Sequence, residues 1–141
     1  MIAPSILRWS ACLLIAIALA YPSSIRAEGA LAVAQPLDVA EDGFYFGTAY
    51  RYSSGTEARE AALERCRKAK SEKLRNLCKL TRTFNHECVA VAMDPKDGTP
   101  GVGWAVEKSK QAADAKALAA CRATAKGREE FCEISDSGCD N

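Results

Sequence analysis

Six of the seven cysteines fall into two triplets, and the second triplet repeats the first. The first set is Cys66, Cys78 and Cys88, and the second is Cys121, Cys132 and Cys139. Each disulfide brings two backbone segments to a Cα separation of roughly 5.5 Å, so paired cysteines restrict a small chain strongly. The repeated pattern therefore predicts two similar units, each closed by a covalent bond of its own.

The first 27 residues have the pattern of a secretory signal peptide. Arg8 precedes an uninterrupted apolar run at residues 11–20, which ends in small residues that permit cleavage after Ala20; cleavage after Ala27 is the alternative. The run is shorter than the roughly 20 apolar residues that span a bilayer, so we expect no integral membrane segment in the mature chain. Export would place residues 28–141 in the periplasm or outside the cell, where cysteines oxidise.

The charge is nearly balanced, with 19 basic residues and 18 acidic residues. A balanced chain lacks the basic excess of nucleic-acid-binding proteins, and we expect no nucleic-acid partner. The segment from Gly55 to Arg82 nevertheless holds nine bases and four acids, whereas the segment from Lys126 to the end holds two bases and five acids. The basic segment is either a solvated helix face or a surface for an acidic partner or membrane headgroups.

The residues around the cysteines repeat as well. With Cys66 placed over Cys121, three earlier positions coincide at the spacing of one helix face, namely Ala58 with Ala113, Ala62 with Ala117, and Leu63 with Leu118. Ser54 and Ser109 precede the two helices as N-cap candidates. The alignment also places residues 31–34 over residues 89–92, and Cys88 over Cys139.

Each unit, at about residues 30–86 and 87–141, has the predicted order strand, strand, helix, strand. The strands are Ala30–Ala34, Phe44–Tyr52 and Leu77–Phe84, then Cys88–Met93, Gly101–Glu107 and Phe131–Ser135, and the helices are Thr56–Lys70 and Lys110–Ala125. The predicted fold class is α+β, as a single domain with an antiparallel sheet, two helices packed on it, and disulfides that cross-link it.

Six cysteines permit 15 pairings, and the repeat favours one of them. In each unit the first cysteine ends a helix and the second begins the next strand, which predicts the bonds Cys66–Cys78 and Cys121–Cys132. Cys88 and Cys139 remain and are predicted to form the third bond, which would tie the first strand of the second unit to the C-terminus. The sequence has no Cys-x-x-Cys pair and a single histidine, so we expect no metal and no cofactor.

Catalytic residues are not assigned, and the chain is expected not to be an enzyme. His86 lies between two predicted strands, where a solvated turn histidine is the ordinary outcome. Asp42, Glu87 and Asp94 lie near turns, and no pattern brings two of these acids together as acid and base. The alternative is a small envelope hydrolase that uses His86 or a carboxylate pair.

Aromatic and basic residues provide the candidates for partner contact. Phe44, Phe46, Tyr50 and Tyr52 are predicted to share one face of their strand, with Tyr45 on the other face. An exposed aromatic residue suits a protein interface. The candidates are Tyr45, Trp104, Arg67, Lys70 and Lys73.

The order of the motifs resembles the family called domain of unknown function 4189. The matching motifs are Ala-Leu-x-x-Cys ending at Cys66 and again at Cys121, Cys-Val-Ala-Val-Ala from Cys88, and Gly-Trp-Ala from Gly103. The resemblance covers residues 31–141 and implies a small secreted bacterial protein, without a known activity. The segment Lys68–Asn76 is longer and more charged than the family pattern.

These observations predict a secreted or periplasmic, non-enzymatic binding domain whose partner is a protein. An inhibitor, an immunity-like protein and an effector all fit this description. A structural component of the envelope is a further alternative to the hydrolase, and the oligomeric state is left open.

Overall fold

The structure is a computed structural model that describes residues 28–141. The predicted signal peptide and its cleavage site lie outside the described residues. The strands are β1 (Glu28–Ala34), β2 (Tyr45–Tyr52), β3 (Lys79–Phe84), β4 (Cys88–Met93), β5 (Val102–Glu107) and β6 (Glu133–Cys139). The helices are α1 (Val39–Asp42), α2 (Gly55–Cys66), α3 (Glu72–Leu77) and α4 (Lys110–Thr124), with a 3-10 turn at Glu129–Phe131.

The strands form two antiparallel sheets, in the orders β2-β1-β3 and β5-β4-β6. The α+β class, the antiparallel pairing and the disulfide cross-links are confirmed. The predicted sheet is divided in two, because the three strands of each repeat complete their hydrogen-bond ladders within that repeat. One long helix packs on each sheet, α2 on the first and α4 on the second.

The central strands β1 and β4 are buried on both faces and alternate small with larger residues. In β1, Ala30 and Ala32 pack against α2. Leu31 and Val33 point to the opposite face, where they join Val89, Val91 and other apolar residues of the second sheet. The two sheets therefore pack face to face, and the chain forms four layers in the order helix, sheet, sheet, helix.

A glycine lets each helix lie directly on its sheet. A Cβ atom at Gly47 in β2 would lie 2.1 Å from the carbonyl oxygen of Ala62 in α2. At the equivalent Gly103 in β5, a Cβ atom would lie 2.4 Å from the backbone nitrogen of Cys121 in α4. Neither distance leaves room for a side chain, so strand and helix backbones touch in both repeats. Ser54 and Ser109 cap the two helices as predicted, by accepting hydrogen bonds from Glu57 N and Ala112 N.

The structure contains the three predicted disulfides. Cys66–Cys78 and Cys121–Cys132 each close a short loop of one repeat, with Cα separations of 5.8 and 6.0 Å. The third bond joins Cys88 to Cys139 on the neighbouring strands β4 and β6. It therefore ties the C-terminal strand to the centre of the second sheet.

The predicted alignment of β1 with β4, the first strands of the two repeats, is wrong by two residues. Ala32 pairs with Gly47, and Ala92 pairs with Gly103, so Ala32 corresponds to Ala92. A shift of two residues preserves the faces of a strand, which is why the alternation gave the right core residues. By the same register Cys88 corresponds to Glu28, and Cys88 and Cys139 are bonded neighbours instead of repeat equivalents.

The predicted face of Tyr52 is also wrong. Phe44, Phe46 and Tyr50 lie between the sheets as expected, but Tyr52 packs with the cluster under α2. The backbone at Arg51 has a φ of 65°, and the β1–β2 register shifts between Glu28 and Ala30. This bulge rotates the end of the strand, so the two-residue alternation fails there.

Candidate functional site

A cleft of about 410 Å³ opens where the two repeats meet. The first repeat contributes the chain around Phe44 and the segment from α2 into α3, at Lys68–Leu74. The second repeat contributes the β4–β5 loop, from Asp94 to Gly101. The cleft therefore depends on the packing of one repeat against the other.

The floor of the cleft is apolar. Phe44, Leu74 and Val102 line it and are buried, and the half-buried Met93 lies beside them. Tyr45 lies at the edge with 38% of its surface exposed. A concave apolar surface with a few polar groups around it is the usual form of a ligand site.

The rim of the cleft is basic. Lys68, Lys70 and Lys96 line it, and Lys68 makes only a 3.7 Å contact with Glu64 on the exposed surface of α2. Within residues 28–141, neither Lys70 nor Lys96 makes an ion pair. The charges of these two lysines are therefore not engaged in an ion pair within the described chain, although Asp97 lines the same cleft.

Asp94 fixes the β4–β5 loop through the hydrogen bonds of its side chain. Its side chain is almost fully buried and accepts hydrogen bonds from Arg128 Nε at 2.6 Å, Arg128 Nη2 at 3.2 Å and the Lys96 N–H at 3.0 Å. The Arg128 guanidinium holds the pKa of Asp94 below its usual value, and the Lys96 N–H acts in the same direction while burial opposes both. Arg128 also stacks on Phe131, with its guanidinium carbon 4.2 Å from the ring centre.

Replacement of Asp94 by asparagine is expected to lower the melting temperature at pH 7 by several degrees, because Arg128 loses its charged partner. Because the pKa of Asp94 is lowered in the folded protein, its carboxylate stabilises the fold at any pH above the unfolded-state pKa of about 3.9. This stabilisation is lost as the pH falls through the lower pKa of the folded state. The difference between wild type and Asp94→Asn should therefore shrink between pH 5 and pH 2 in thermal melts. A constant difference across that range would contradict the assignment.

A family model matches residues 29–139, and its description is domain of unknown function (DUF4189). This match covers most of the chain. The chain belongs to the DUF4189 family. Searches of curated proteins and of solved structures returned no match.

The structure brings some of the predicted contact residues of this DUF4189 chain together. Tyr45 and Lys70 both line the cleft. Lys73 lies beside it on α3, where its Nζ is 2.6 Å from Asp42 Oδ1 and the pKa of Lys73 is raised by that hydrogen bond. Arg67 is exposed after the end of α2 and does not line the cleft.

Trp104 lies elsewhere. It is half-buried against the core between the sheets and lines a different depression, with Leu37 and Lys79. Sequence reasoning missed Leu74, Lys68 and Lys96 as cleft residues. The charged segment Lys68–Asn76 was a signal for the first two, because it contains most of the unpredicted helix α3, which Ser71 caps.

The residues considered for catalysis lie in separate ion pairs or on the surface. His86 is exposed in the β3–β4 turn with a φ of 53°. Asp42 pairs with Lys73, Glu87 with Lys108 at 3.3 Å, and Asp94 with Arg128. In residues 28–141 no three His, Cys, Asp or Glu side chains are grouped so that they could hold a metal ion. No helix in this part of the chain has the length and apolar character to cross a membrane.

Proposed function

We propose that this DUF4189 domain is a secreted or periplasmic, non-enzymatic binding domain whose partner is a protein that docks at the cleft. The observation that carries the proposal is the position of the cleft: an apolar floor, an exposed tyrosine and unpaired lysines meet where the two repeats join. Tyrosine is enriched at protein interfaces relative to the rest of the surface. Such a surface is compatible with an inhibitor, an immunity-like protein or an effector.

Two further features support export and binding. Three disulfides suit a compartment that oxidises thiols, and the signal pattern in residues 1–27 would direct the chain there. The acids considered for a hydrolase each form an ion pair with a different base, and a carboxylate engaged in this way has to leave its partner before it can transfer a proton.

Site-specific photo-crosslinking tests the proposal. A benzoylphenylalanine at position 45, in the exported and oxidised protein, is expected to form an adduct with a protein of the same compartment upon irradiation. Leu80 provides a matched control, because it has the same exposed fraction of 38% and does not line the cleft. An adduct at position 45 that is absent at position 80 supports the proposal. No adduct at position 45, or equal adducts at both positions, would overturn it.

A further inference from the structure

We infer that the cleft recognises an acidic peptide segment that carries an apolar side chain between its carboxylates. This inference rests on the proposed function and specifies the chemistry of the partner at the same site. It depends on three properties of the cleft, namely its charge, its floor and the rigidity of its walls.

The charge of the cleft favours an anion. Three lysines and two aspartates line it, the aspartates being Asp94 and Asp97. Arg128 already compensates Asp94 from outside the cleft, and Glu64 in the same way lies 3.7 Å from Lys68, so among the described lining residues Asp97 is the acid left to oppose Lys70 and Lys96. The result is an excess of positive charge at the rim, which attracts carboxylates and disfavours a basic segment.

The floor of the cleft favours a peptide over a small anion. The apolar lining consists mainly of Tyr45 and the half-buried Met93, with only small exposed parts of Phe44, Leu74 and Val102. A free anion or a lipid headgroup would leave that surface in water. An apolar side chain flanked by acids would cover the floor while its neighbours reach the rim. Both parts of the site are then used by one short, extended segment.

The walls of the cleft are held in place without a ligand. Arg75 Nη1 donates to the carbonyl oxygens of Ala69 at 3.0 Å and Lys70 at 2.7 Å, which fixes the backbone that carries Lys70. The Lys73–Asp42 pair joins α3 to α1 on the same side. Asp94 fixes the loop that carries Lys96 on the other side. A cleft with fixed walls loses little conformational entropy on binding.

NMR titration of the isotope-labelled, oxidised protein tests the inference. The probe is the peptide acetyl-Glu-Leu-Asp-Phe-Glu-amide, and the control peptide replaces each acid by lysine and keeps the leucine and phenylalanine. The acidic peptide is expected to shift the amide resonances of residues 68–74 and 94–102. The control peptide is expected to shift none of them.

Charge reversal provides the decisive comparison. The double variant Lys70→Glu/Lys96→Glu should weaken binding of the acidic peptide at least about tenfold, and the weakening should decrease at high salt. Lys79→Glu is the matched control, since Lys79 is exposed and does not line the cleft, and it should leave the affinity within about twofold. Dispersed spectra of all variants establish that they are folded.

Three outcomes would overturn the inference. The first is the absence of shifts at the cleft with the acidic peptide. The second is an equal weakening of peptide binding by Lys70→Glu/Lys96→Glu and by Lys79→Glu. The third is a larger shift of the same resonances with vesicles of phosphatidylglycerol and phosphatidylcholine than with the acidic peptide. A specific photo-adduct at position 45 together with any of them would retain the protein partner and reject the acidic segment. The absence of that adduct rejects the protein partner itself.

Discussion

Gly47→Ala and Gly103→Ala are each expected to lower the free energy of unfolding by about 3 kcal/mol or more. The added methyl group at Gly47 would lie 2.1 Å from Ala62 O and 2.5 Å from Cys66 N, both of which are backbone atoms of α2. No side-chain rotation relieves such a contact. The helix has to move away from the sheet, and the packing of alanine on alanine beneath it is lost.

Urea denaturation of the oxidised protein measures this loss. The contacts at Gly103 are with the equivalent backbone atoms of α4, so the two substitutions should have effects of similar size. Gly55→Ala is the control: Gly55 is the first residue of α2, and the nearest atom to an added Cβ is Arg59 Nη1, at 3.5 Å. It should change the free energy of unfolding by less than about 1 kcal/mol. Stability of Gly47→Ala equal to that of Gly55→Ala would contradict the close contact of helix and strand.

Removal of the Cys88–Cys139 bond is expected to lower the free energy of unfolding by about 4 kcal/mol, and removal of Cys66–Cys78 by about 3 kcal/mol. The physical reason is the size of the closed loop. The first bond links residues 51 positions apart, whereas the second links residues 12 positions apart, and a longer loop restricts the unfolded chain more. Cys88 is also buried in the cluster under α4, so its sulfur contributes packing.

The double variants Cys88→Ala/Cys139→Ala and Cys66→Ala/Cys78→Ala provide the measurement, again by urea denaturation with the other bonds oxidised. Cys121→Ala/Cys132→Ala is the matched control for loop length, because its separation of 11 residues is close to that of the Cys66–Cys78 pair. It should resemble the Cys66–Cys78 variant. A Cys88–Cys139 variant that is no less stable than these two would contradict the expected order.

Local structure was predictable from the sequence where the residues that determine it lie close together within one repeat. Residues 88–93 alternate alanine with valine on a buried strand, and the predicted bounds of that strand are the observed ones. The serine before each long helix fixed the N-terminus of the helix, and the cysteine spacing fixed two of the bonds. Each of these depends on residues fewer than about 15 positions apart in the chain.

The features that were missed depend on distant contacts. The alternation of residues in β1 shows which of them share a face of the strand. It does not show that Leu31 and Val33 contact Val89 and Val91 of a second sheet. Tyr52 changed face because a bulge interrupts β2 at Arg51, and arginine gives no local signal for a positive φ. Leu74 and Lys96 are 22 positions apart by their numbers, and only the packing of the two repeats places them at one cleft.

The packing of the two repeats, on which the cleft depends, is tested most directly at Tyr50 and Gly138. Tyr50 belongs to β2 of the first sheet, and its ring occupies the space in which Gly138 of β6 would carry a side chain, with ring atoms 2.4–2.7 Å from the position of a Cβ. NMR spectra of the oxidised protein are predicted to show nuclear Overhauser effects between the Tyr50 ring and the Gly138 α-protons, and ring-current shifts of those protons that disappear in Tyr50→Leu. Gly138 α-protons at random-coil shifts, without cross-peaks to Tyr50, would contradict the face-to-face packing of the sheets.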